Sequence, residues 1–114
     1  MNWNNITEEH QVEDIIEQSH KKPCLIFKHS TRCIISKMAL KTFENEFDLE
    51  PYFEPYFLDL LAYRSLSNAI AEKFEVQHQS PQLILIKEGK AVFDASHENI
   101  SVESIKKYIT STAL

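Results

Sequence analysis

Glycine is almost missing from these 114 residues; Gly89 is the only one. Loops that cradle phosphates need several residues that accept positive φ or let a ligand touch bare backbone, so P-loop and dinucleotide-binding fingerprints are excluded. Cysteine is scarce too. Cys24 and Cys33 cannot supply a four-cysteine zinc site or a stapled secreted framework, and they form no C-x-x-C pair, which fits a reducing compartment. Positive charge is in the minority. Twelve Lys and Arg against seventeen Asp and Glu give a formal charge of -5, without the basic field that condenses on nucleic acid or an anionic membrane. No apolar run approaches bilayer length, and the opening MNWNNITEEHQ lacks the cationic-then-apolar pattern of a secretion signal. A cytoplasmic protein is expected, with neither nucleic acid nor membrane among its partners.

What is present suits one ordinary domain spanning 1–114, since 43% of residues are hydrophobic and 25% charged. Met1 to Ile6 reads as an edge strand. Thr7 is placed to cap a helix in which Val12, Ile15 and Ile16 recur at helical spacing, ended by Lys21, Lys22 and Pro23. Cys24 to Phe27 is continuously apolar, as in a strand covered on both faces. From Ile34 a second helix is predicted, with Ile35, Met38, Ala39, Thr42, Phe43 and Phe47 marking one face. Tyr56 to Leu61 reads as a strand, and Ser65 opens a third helix through Leu66, Ala69, Ile70 and Phe74. QLILIK after Pro81 and KAVFD after Glu88–Gly89 form a hairpin. A last helix begins near Ser101 and buries Val102, Ile105 and Ile109. The order β-α-β-α-β-α-β-β-α implies an α/β fold with a mixed four- or five-stranded sheet flanked by helices. In such sheets the site lies beyond the carboxyl ends of the parallel strands, here around residues 28–37.

That stretch, KHSTRCIISK, puts Cys33 at a helix start. Unpaired backbone N–H groups and the helix dipole favour a negative sulfur there, and Lys28, Arg32 and Lys37 add positive potential, so a reactive thiolate is expected. Ser36 is one turn on and could donate its hydroxyl to the sulfur, but cannot form a disulfide with it. His29 could strengthen the positive potential or simply satisfy a backbone group. Cys24 stands at the other end of the strand, about 20 Å of chain from Ser30, too far to reach Cys33. It reads as buried packing. Ser80–Pro81 precedes a strand, where a trans proline is the ordinary reading and a cis bond the sharper one. The five histidines show no metal-ligand spacing, so no metal site is expected. Tyr52, Phe53, Tyr56 and Phe57 read as core packing, and Glu44, Glu46, Asp48 and Glu50 as a solvated acidic patch.

The element order, C-x-x-S after the buried strand and Ser80–Pro81 before the hairpin together resemble the thioredoxin superfamily. More closely, KHSTRCIIS followed by KMAL and the later SPQ is similar to the monothiol bacilliredoxin family of the bacillithiol system, over essentially the whole chain. The resemblance implies a thioredoxin-like fold and removal of bacillithiol from mixed disulfides on cytoplasmic client proteins. It makes Cys33 the nucleophile, places Ser36 where dithiol relatives carry a second cysteine, and makes Pro81 a cis proline facing the sulfur, with Ser80 at its side as a substrate-binding residue. Lys28, Arg32 and Lys37 would steer the malate carboxylates of bacillithiol. No bound cofactor is implied; bacillithiol itself, or a separate reductase, would regenerate the thiol. Ile34 departs from the pattern, standing where many members have proline, so the first helical turn lacks a locked φ. Two other functions fit parts of the sequence. A monothiol-glutaredoxin-like iron–sulfur carrier shares C-x-x-S but needs a glycine-rich thiol-binding segment, and a non-catalytic thioredoxin-like interaction module would leave Cys33 incidental.

Overall fold

The computed structural model describes residues 1–109. Its framework is one five-stranded sheet in the order β1-β3-β2-β4-β5. β1 (Asn4–Asn5), β3 (Glu54–Asp59) and β2 (Cys24–His29) run parallel, joined by α1 (His10–Gln18) and α2 (Ile34–Glu46). After α3 (Arg64–Phe74), β4 (Gln82–Lys87) pairs antiparallel with β2 and carries β5 (Lys90–Ser96) as a hairpin. β2 is central, as its unbroken apolar run predicts, and all six of its side chains are buried.

Alternation along the strands divides the core in two. Leu25, Phe27, Leu83 and Leu85 face α2, where Phe43 and Phe47 meet them. Trp3 closes that layer, its ring 6.0 Å from Phe27 and 6.5 Å from Phe43. Cys24, Ile26, Ile84 and Ile86 face Val12 and Ile15 of α1 and Leu66, Ile70 and Phe74 of α3. The turn between β4 and β5 has Glu88 and Gly89 both in the left-handed region, at φ 52 and 79. Two-residue hairpins favour that geometry, which explains why the chain's sole glycine is here. The Gly89 N–H also donates to the buried Ser19 Oγ at 2.8 Å.

The elements differ from expectation in several places. β3 is Glu54–Asp59 and not Tyr56–Leu61, and Ser65 lies inside α3, whose cap position is Tyr63. Thr7 does not cap α1: the helix starts later, and Gln11 Oε1 instead accepts the N–H groups of Thr7 and Glu8 at 2.7 and 2.8 Å. β2 runs two residues further than its apolar stretch, taking in Lys28 and His29. The core-facing stripe of α2 is Ser36, Phe43 and the adjoining Phe47; Ile35 and Met38 lie on an exposed stripe. The last helix is a 3₁₀ segment, Glu103–Tyr108, that buries Ile105, with Val102 buried at its start and Ile109 half-buried. Ser101 and Ser104 exchange side-chain-to-backbone bonds at 3.2 and 2.7 Å there, local i to i+3 pairings that favour the tighter helix.

Candidate active site

β2 ends at His29, Ser30–Arg32 turn the chain, and Cys33 occupies the cap position of α2 with extended backbone, φ −105 and ψ 121. Its N–H donates to Ser30 O at 3.2 Å and its carbonyl accepts from Lys37 at 3.0 Å. Its sulfur takes no part in capping and is half-exposed. The first N–H groups of α2 lack intrahelical acceptors, so a partial positive charge lies beside this sulfur. Arg32 and Lys37 are exposed on either side of it in sequence.

Ser36 does something other than expected. It is fully buried, its Oγ lying 2.8 Å from His29 Nδ1 and accepting the Ser30 N–H at 3.0 Å. Those contacts, not a hydrogen bond to Cys33, occupy the hydroxyl among the described residues. The side chain of a helical residue leans back toward the N-terminus, and here it meets the loop that delivers the cysteine. Ser36 thus ties that loop to the helix and to the end of β2. His29 is buried against Phe57, ring centroids 5.6 Å apart. Burial pushes its imidazole below the ordinary 6.5, opposed by Asp59, so it is neutral at pH 7 and not the added cation considered from sequence. We expect Ser36→Ala to cost about 1–3 kcal/mol in urea unfolding, because the buried His29 imidazole nitrogen and the partly buried Ser30 N–H lose their partner.

Lys28 is also corrected. Neighbouring strand residues point to opposite faces, so with His29 turned toward α2, Lys28 turns toward α3. It is fully buried. Its ammonium donates to Ser67 O at 3.0 Å and lies 3.3 Å from His78 Nδ1, and burial pushes it down to about 8. It therefore offers no surface charge to a substrate; of the three cations predicted for that role, only Arg32 and Lys37 are exposed.

Ser80–Pro81 is a cis peptide bond, the sharper of the two readings. Pro81 is buried, and one step beyond the last paired positions, Lys28 and Gln82, it falls across from His29, at the end of the sheet where α2 begins. Its carbonyl accepts the His97 N–H at 3.1 Å. Ser80 Oγ is buried with no hydrogen-bond partner among the described residues. Cys24 is fully buried at the opposite end of β2; desolvation, with Glu54 assisting, pushes its thiol up to about 12. The described residues contain no group of three or more His, Cys, Asp or Glu able to hold a metal ion, and no helix long and apolar enough to cross a membrane.

Sequence reasoning missed the apolar ledge beside the cysteine. Ile34 is 72% exposed, Ile35 53% and Met38 65%, and the last two line a groove of about 320 Å³ with Ala39, Thr42 and Ile100. Their helical spacing reads equally well as core or as a dry outer stripe, and only the position of the sheet separates the two. His78 and Gln82 were missed as well, since neither has a local sequence signal.

With this geometry in hand, comparison with known proteins is informative. A solved structure described as a candidate oxidoreductase with a thioredoxin fold is 33% identical, superposes at a TM-score of 0.78, and aligns over 90% of this chain and 89% of its own. The thioredoxin Mala s 13 of Malassezia sympodialis, 16% identical, superposes at 0.72 over 99% of this chain and 92% of its own. Oxidised thioredoxin of Plasmodium falciparum, also 16% identical, gives 0.72 over 96% and 100%. These likenesses establish a thioredoxin fold. The family model described as monothiol bacilliredoxin BrxC matches residues 4–105, nearly the whole described chain. A thioredoxin-fold protein with one accessible cysteine at the start of α2, this chain belongs to the monothiol bacilliredoxin family.

Proposed function

We propose that the chain is a cytoplasmic monothiol bacilliredoxin that removes bacillithiol from mixed disulfides on client proteins. Family membership supports a thiol–disulfide role. The observation that carries the mechanism is the contrast between the two cysteines: Cys33 is half-exposed at a helix N-terminus, whereas Cys24 is sealed at the far end of β2.

The Cys33 thiolate attacks the bacillithiol sulfur of the mixed disulfide. The client–bacillithiol S–S bond breaks, a Cys33–bacillithiol S–S bond forms, and the client leaves as a thiolate that takes a proton from solvent. The electron count is unchanged, one disulfide replacing another. A free bacillithiol thiolate, or the thiol of a separate reductase, then attacks the adduct and releases Cys33. Bacillithiol is thus a co-substrate, and no bound metal or flavin enters either step. Arg32 and Lys37 favour the approach of the anionic malate group. The apolar ledge of Ile34, Ile35 and Met38 faces whatever surrounds the client's modified cysteine.

Mass spectrometry of the protein mixed with a bacillithiolated model substrate tests this reading. The expected result is one bacillithiol adduct on Cys33 with release of the substrate thiol, and a slower reaction with the same substrate carrying glutathione. No adduct from either substrate would overturn the exchange mechanism, and equal rates would overturn the bacillithiol specificity.

A further inference from the structure

Each ion pair among the described residues is a surface pair, and none includes Lys28. This lysine is completely buried, with a backbone carbonyl and an imidazole nitrogen as its acceptors. The charged groups bearing on that imidazole are Lys28 itself, from β2, and Arg64, from α3. The nearest polar neighbour in the sheet is Gln82 of β4, whose amide donates to Gln77 O at 3.0 Å and to the Asp94 carboxylate at 3.4 Å. A buried ammonium without a carboxylate is costly, and an apolar side chain of the same length would cost less. Stability does not account for it.

Its contacts lead to the site. His78 lies in the segment between α3 and β4 that ends in Ser80 and Pro81. Lys28 holds this segment through His78, while its sheet partner Gln82 holds it from the other side through Gln77 O and through the Gln79 N–H, accepted at 3.3 Å. Ser67 Oγ, 3.3 Å from the same His78 nitrogen, adds α3 to the grip. Two adjacent buried side chains thereby hold residues 77–79, the residues just before the buried, unpartnered Ser80 hydroxyl.

We propose that Lys28, acting through His78, is a positioning residue that holds the Ser80–Pro81 segment as a fixed wall against which an incoming disulfide aligns with Cys33. The proposal rests on the thiol-exchange reading above, though not on the identity of the thiol removed. The grip requires His78 Nδ1 as an acceptor, hence a neutral ring with its proton on Nε2. A proton added to Nδ1 would face the Lys28 ammonium, with Arg64 a second like charge, and would open the grip.

The test compares two reactions of Cys33. Alkylation by iodoacetamide needs a thiolate but no aligned wall; exchange with a small aromatic disulfide needs both. Lys28→Met and His78→Leu are expected to slow exchange tenfold or more while leaving alkylation within twofold of wild type. His78→Gln, whose carbonyl can take the same ammonium proton, should recover most of the exchange lost in His78→Leu. In His78→Gln the ratio of exchange to alkylation, which cancels the titration of Cys33 itself, should also stay level toward acid pH, where in the wild type it is expected to fall as His78 takes a proton. Exchange at the wild-type rate in both Lys28→Met and His78→Leu overturns the proposal, as does an equal fall in alkylation. If one variant fails to fold, the other decides. Because the aromatic disulfide reports on any exchange by Cys33, failure of bacillithiol transfer in the wild type would refute the proposed substrate without touching this result.

Discussion

Cys33→Ser should abolish capture of the bacillithiol adduct, lowering exchange by on the order of a thousandfold or more, whereas Cys24→Ala should retain it. The difference follows from where the two sulfurs lie. The nucleophile in disulfide exchange is the thiolate, and an alcohol at neutral pH is no substitute. Cys24 stays protonated with its thiol pushed up to about 12, donates to Lys22 O at 3.4 Å, and has no exposed surface. The five residue steps from Cys24 to His29 carry it about 16 Å away from the end of the sheet where α2 begins. Losing its sulfur should instead lower stability, by about 1 kcal/mol, through a small cavity among Ile15, Ile26 and Ile86. Mass spectra of both variants after incubation with the modified substrate, together with urea midpoints, check the pair. An adduct on Cys24 in the Cys33→Ser protein would reverse the site assignment.

Stability at alkaline pH should carry the signature of the buried lysine. With its folded value near 8 against 10.5 unfolded, Lys28 is neutral in the folded chain over a range where the unfolded chain still binds the proton. Unfolding then takes up a proton, so raising the pH from 8 stabilises the fold by about 1.4 kcal/mol per unit. Cys24 acts oppositely. Held up to about 12 against 9.0, it keeps its proton when folded after the unfolded chain has lost it, so stability falls above pH 9. Tyr56, raised from 10.0 to about 12 chiefly by burial, adds to that fall above pH 10. The wild type should gain stability from pH 8 to 9, level off, and decline beyond 10. Lys28→Met should be the more stable protein at pH 7, show no gain above 8, and begin its decline at 9. Between pH 8 and 10.5 the advantage of the variant should shrink by about 3 kcal/mol. Urea midpoints across this range measure it, and parallel profiles for the two proteins would show that burial does not perturb the lysine. A variant both steadier and slower in exchange would mark Lys28 as stability given up for function.

The order of strands and helices and the position of the cysteine were legible in the linear chain. CLIF has no polar alternation, which requires a strand covered on both faces, and the polar turn after it followed by an amphipathic run requires a helix beginning near residue 33. Those are local matters of periodicity and helix initiation, and they survive folding. The ends of elements were less legible. Lys28 and His29 look like loop residues because they are polar, yet the ladder to Gln82 and Leu58 extends through Lys28, and through His29 to Asp59.

Tertiary structure decided where the polar side chains around the site point. One added strand residue reverses the face, so adjacent Lys28 and His29 went to opposite layers, one to α3 and the other to Ser36. The same packing turned Ile35 and Met38 outward, because the sheet chose the neighbouring stripe of α2. The grip on residues 77–79 joins Lys28 to Ser67 and His78, 39 and 50 positions away. No local pattern encodes a contact of that range; it exists because β2 and β4 are neighbours in the sheet, with α3 packed over them.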